Sequence, residues 1–100
     1  MILLQIDFAY TGPNNTEMAA QLKGLAESIN QEPGFQWKIW TEIPGKGRAG
    51  GIYLFDTEEN ARRYAEMHQK RLAESGMASD FRTLFCQVNP TLSTINRAPL

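Results

Sequence analysis

The spacing of apolar residues switches repeatedly between two and about 3.6 along this chain, and the order of the switches narrows the fold more than composition does. Ile2, Leu4, Ile6, Phe8 and Tyr10 alternate with Leu3, Gln5, Asp7 and Ala9, which predicts a first strand with one strongly apolar face. Thr11 to Asn15 is a turn cluster, and Asn14 followed by Glu17 predicts a capping box with Asn as the cap. Met18, Leu22, Leu25 and Ile29 then share one stripe of a first helix, which Gly24 weakens and Pro33-Gly34 ends. Phe35 to Ile43, rich in aromatic and β-branched residues, predicts a second strand. Pro44 to Gly47 has hairpin length, and Gly50 to Phe55 returns as a third strand. Gly50-Gly51 marks a bulge, a close approach of backbone or ligand, or an ordinary turn into the strand. Asp56-Thr57-Glu58-Glu59 opens a second helix that runs to about Ser75-Gly76, with Ala61, Tyr64, Ala65, His68 and Leu72 inward. Phe81 to Val88 predicts the fourth strand.

This βαββαβ order predicts an α+β, ferredoxin-like domain: an antiparallel four-stranded sheet with two helices on one face. Residues 1–88 form the domain, and 89–100 form a polar C-terminal tail that could serve as an arm to a partner. One hundred residues suffice for a single modest core. The helices cover one sheet face only, yet the first and second strands offer apolar or aromatic side chains on both sides of the pleat, and Trp37 and Trp40 point oppositely, as do Tyr53 and Leu54. An apolar face left open predicts an interface, and a homodimer through the sheet is the economical occupant. The bland alternative is an imperfect alternation whose aromatics only cover the rim.

Charge and punctuation exclude several partners. Ten basic against eleven acidic side chains leave a net charge of −1, without the concentrated basic face that nucleic acid requires. No apolar run approaches the roughly 20 residues of a bilayer crossing. The first residues lead into the alternating pattern with no basic n-region, so a cytoplasmic location and no membrane partner are expected. Cys86 is alone and set among apolar residues, which predicts a buried structural thiol. One His and one Cys cannot supply the usual zinc or iron ligand sets, so no metal is expected. Gly45 to Gly51 joins two strands instead of opening a helix, so it reads as a flexible turn and not a phosphate loop, although Lys46 and Arg48 could rim a pocket.

Three segments carry a family likeness: Ala26 to Phe35 (AESINQEPGF), Trp37 to Glu42 (WKIWTE) and Gly50 to Phe55 (GGIYLF). With Ile6-Asp7-Phe8, the Gly12-Pro13 turn and the tail from Asn89 to Ser93, they make the chain resemble the YdhR monooxygenase family over nearly its whole length. The resemblance implies a dimeric α+β barrel, in which two ferredoxin-like sheets pack face to face, related to the antibiotic biosynthesis monooxygenases. It further implies oxygenation of a small aromatic or polyketide-like metabolite with no cofactor, the substrate's own carbanion reacting with oxygen. A non-catalytic small-molecule-binding homodimer and an isomerase-type enzyme on the same scaffold are the alternatives.

Such chemistry needs a group to take a phenolic or enolic proton. His68 is the first candidate for general base, being the one side chain here that titrates near neutrality unperturbed; the competing reading is a satisfied core histidine. Trp37, Trp40 and Tyr53 could form an aromatic cage for a planar substrate, against the simpler reading of core packing. Asp7 and Arg82, polar residues within strands, are candidate anchors in the pocket, and Asp7 could instead pair with a basic group across a dimer interface.

Overall fold

The computed structural model describes all 100 residues, Met1–Leu100. Strands β1 (Ile2–Tyr10), β2 (Phe35–Ile43), β3 (Arg48–Phe55) and β4 (Ala78–Gln87) alternate with helices α1 (Asn15–Ile29) and α2 (Glu58–Ser75), and a short helix α3 (Pro90–Ile95) follows. The sheet order is β2-β3-β1-β4 and every neighbouring pair is antiparallel, which is the expected ferredoxin-like topology.

Register assigns every side chain to a face. Ile2 opposes Phe55, Leu4 opposes Tyr53 and Phe8 opposes Ala49, so these residues line the helix-covered side. There they form one core with Met18 and Ile29 of α1 and Ala61, Tyr64 and Ala65 of α2. Helix α2 is well terminated: the Thr57 hydroxyl accepts from the Asn60 N–H at 3.2 Å, and Gly76 closes it in the left-handed conformation. It lies close on β4 and β1, whereas α1 stands further off the sheet.

Four local expectations change. Asn14 is at the N-cap of α1, but its side chain makes no capping bond; the next residue, Asn15, is left-handed (φ 54°) and its N–H donates to Glu42 Oε1 of β2 at 2.9 Å. Strand β4 begins at Ala78, three residues before Phe81, across an irregularity opposite Asp7–Ala9. The tail is not irregular throughout: Asn89 caps α3 by accepting from the Leu92 N–H at 3.1 Å, with Pro90 in the first turn. Cys86 is half-buried, on the sheet face away from the helices, and not in the core.

That second face carries Ile39, Ile43 and Leu84, each more than half exposed at 54%, 52% and 56%. The tail returns to it at one place, where the Trp37 indole donates to the Pro99 carbonyl at 2.7 Å, beside Leu54 of the same cross-strand pair, which is 1% exposed. No helix is long and apolar enough to cross a membrane.

Candidate functional site

Between the sheet and the two helices lies a narrow, partly open apolar chamber of about 30 Å³, room for a water or two. Strand β2 sends Lys38 and Trp40 into its lining, β3 sends Tyr53 and α2 sends His68. A wider groove of about 340 Å³ runs outside it, along α1 and past Glu42. Trp40, Met18 and Leu22 line both spaces and so form the wall between them.

Lys38 enters because the strand period puts it on Trp40's face, opposite Tyr53, and because Gly51 leaves room. A Cβ at Gly51 would come 2.7 Å from Lys38 Cε and 2.9 Å from the Tyr53 ring. The Lys38 ammonium lies 3.3 Å from the Trp40 ring centroid and 4.6 Å from that of Tyr53. The ring quadrupoles are its only compensation, since no carboxylate pairs with it, and burial, helped by the Arg71 charge, lowers its pKa to about 7.

His68 is 2% exposed and stacks on Tyr64 with ring centroids 5.0 Å apart. Its Nδ1 lies 3.0 Å from Arg71 Nη2. A guanidinium only donates, so Nδ1 must accept and Nε2 carries the hydrogen. Burial, then the positive charges of Lys38 and Arg71, depress its pKa to about 3, so the ring is neutral at physiological pH. Arg71 has no carboxylate partner either, and its Nε and the Tyr64 hydroxyl are buried without a hydrogen bond. Burial pushes the Tyr64 phenol up to about 12 and raises Tyr53 further. The interior thus holds one permanent cation, Arg71, an amine whose charge is poised about neutrality, and a neutral imidazole, with no carboxylate paired to any of them.

Of the residues singled out in the sequence, Trp40, Tyr53 and His68 meet at this chamber. Trp37, Asp7 and Arg82 lie on the opposite sheet face. There Asp7 receives a two-pronged bond from Arg48, Nε at 3.1 Å and Nη2 at 2.9 Å, with Arg82 at 3.7 Å, and Arg48 also reaches Asp80 at 2.9 Å. Arg48 therefore belongs to that ion cluster and not to the chamber's rim. Lys38 and Arg71 escaped the sequence reading, although Lys38 was legible: once Trp40 faces inward, the residue two before it must too.

Several solved structures share this architecture. SnoaB, a cofactor-independent oxygenase from Streptomyces nogalater, superposes with a TM-score of 0.61 at 13% identity, over 88% of this chain and 92% of that one. The ActVA-Orf6 monooxygenase of Streptomyces coelicolor, in complex with nanaomycin D, gives 0.57 at 18% identity, over 88% and 87%. The haem degrader MhuD of Mycobacterium tuberculosis, with two haems in its active site, gives 0.62 at 15% identity, over 89% and 96%. No curated protein matches the chain in sequence. The family described as "Putative mono-oxygenase ydhR" matches residues 3–99, nearly the whole length, and the chain belongs to that family.

Proposed function

We propose that the protein is a cofactor-independent monooxygenase of a small aromatic or polyketide-like metabolite. The substrate lies in the groove between α1 and β2 and reaches the chamber past Trp40. The observation that carries this reading is an apolar interior whose positive charge is unpaired, which suits a reaction through an electron-rich anion. In such a reaction a methylene flanked by aromatic or carbonyl groups loses a proton, and the carbanion donates an electron to oxygen. The two recombine, and loss of water leaves a carbonyl. A methylene and a molecule of dioxygen thus give a carbonyl and a molecule of water, with one oxygen atom retained in the product. His68, its Nδ1 occupied by Arg71, serves as a neutral donor from Nε2 to a substrate oxygen, while Trp40 bounds the ring in the outer groove. Likeness in fold to SnoaB and to the nanaomycin D complex supports the substrate class.

The test is incubation of metal-free protein with hydroxylated anthrones, quinols and flavonoids, with and without air, following oxygen uptake and product mass. Oxygen-dependent gain of one oxygen atom is the expected result. Saturable binding with no product across the panel would replace it by the second reading, a non-catalytic binding protein, which the ligand-sized groove along α1 favours. A parallel sample with haemin, prompted by the haems of MhuD, checks cofactor independence: activity that appears only with haemin would overturn it. The open face, with Ile39, Ile43 and Leu84 exposed, is assigned in this reading to a second copy of the chain.

A further inference from the structure

We propose that Lys38 removes the substrate's proton and that the chamber receives only the ionising end of a phenol or enol whose ring lies in the wider groove across Trp40, with Arg71 as a positioning residue behind it. The inference rests on the assignment of the chamber as the reacting site, but not on oxygen chemistry.

A base at this site must lie in the lining, hold a free lone pair near neutral pH, and become a cation where the substrate becomes an anion. His68 fails, because its acceptor nitrogen faces a permanent cation and the other carries hydrogen. Tyr53 fails, because burial opposes its ionisation. Lys38 meets the conditions: its amine is in the lining, no hydrogen-bond partner or carboxylate holds it, and Gly51 gives its stem a fixed path across β3. The groups around it are Trp40 on its own strand, Tyr53 from β3, and His68 and Arg71 from α2, while α1 contributes only apolar side chains to the chamber. Glu42, further along β2, lines only the outer groove and accepts from the Asn15 N–H.

The step balances within the pair. The Lys38 lone pair takes the proton, an N–H bond forms as the substrate O–H or C–H bond breaks, and two neutral groups become an ammonium and an anion in contact. The unpaired Arg71 charge favours that anion and disfavours the ammonium before substrate arrives. One field therefore keeps the base free and then holds its product. Acidic phenols and enolisable diketones are the class that fits. Their neutral ethers are excluded.

The probe is 4-nitrophenol, whose ionised form absorbs at longer wavelength, with 4-nitroanisole as the non-ionisable control. About one pH unit below the phenol's own pKa, the bound dye should show the phenolate band and bind about tenfold more tightly than the anisole. Lys38→Met should lose both the band and the preference. Lys38→Arg should keep anion binding, since its charge is permanent, but lose the neutral base that turnover requires. Independently of any variant, the Cε signal of Lys38 in carbon-13 lysine-labelled protein should titrate near pH 7 and shift upward when the dye binds. A dye bound as the neutral phenol by the unaltered protein, or Lys38 titrating in the ordinary lysine range, overturns the proposal. Phenolate binding without oxygen uptake leaves it standing and removes the oxygenase reading; oxygen uptake unchanged in Lys38→Met does the reverse.

Discussion

At the scale of the residue, the interior couples stability to pH through two bases held neutral. His68 titrates at about 3 in the folded chain against an ordinary 6.5, so between those values the unfolded chain binds a proton that the folded one refuses. Stability therefore falls as pH drops through that window, at up to about 1.4 kcal/mol per pH unit. Lys38, at about 7 against 10.5, gives the same sign at higher pH: the unfolded amine stays protonated, so folding gains stability from pH 7 towards 10.5. Urea denaturation of the wild type, Lys38→Met and His68→Gln across this range checks both. The alkaline rise should vanish in the first variant and the acid loss should shrink in the second, while parallel curves would show that neither group is held neutral. The sequence carried this chemistry unevenly. His68 was legible from the inward stripe of α2, whereas strand period set Trp37 and Trp40 on opposite faces without saying which of them met the helices. The bond to Arg71 was not legible, since the inward stripe of α2 had already been assigned to apolar residues and Arg71 reaches the core from beside that stripe, with its aliphatic stem and its fork.

At the scale of the element, β3 is shaped by its paired glycines, each for a separate reason. Gly51 makes way for the Lys38 stem and the Tyr53 ring, whereas a Cβ on Gly50 would collide with the Ile6 carbonyl and the Asp7 backbone of β1. A flexible side chain can yield to an added methyl and a paired backbone cannot. Gly50→Ala should therefore cost about 1–3 kcal/mol, read as a fall in urea midpoint at unchanged slope. A midpoint unmoved by Gly50→Ala would mean that β1 and β3 are not held this close. The strands and both long helices were legible because their apolar periods are unmistakable, but the glycine pair stayed open between a bulge, a close approach and an entry turn, because nothing local showed that β3 already begins at Arg48. The start of α1 fell where the sequence put it, but the capping box did not form, and the contact that is made there, from the Asn15 N–H to Glu42, comes from a residue too distant in sequence to be foreseen. The tail was misread for the opposite reason. Its apolar residues Leu92 and Ile95 are too few to show a period, and Asn89-Pro90 is a helix start that also fits a turn.

At the scale of the whole molecule, the two sheet faces have been put to different uses. The helix side holds the core and the chamber, and the other side presents Ile39, Ile43 and Leu84 around the ion cluster of Asp7, Arg48, Asp80 and Arg82. The tail covers part of that side at Trp37, while Leu92 and Ile95 of α3 remain 61% and 70% exposed, so its own apolar groups add to the surface in want of a partner. A second copy related by a two-fold axis would meet the same patch with the same patch, so Leu84 would be removed from water twice over, once on each protomer. Leu84→Arg sets a charge there without touching the chamber, which lies across the sheet. Sedimentation equilibrium should give twice the chain mass for the wild type and one chain mass for the variant, with 4-nitrophenol binding retained if the monomer keeps its fold. A wild type of one chain mass at high concentration would remove the dimer. A variant that still sediments as a pair would move the interface to another surface, and the exposed groups of α3 would be the next to alter.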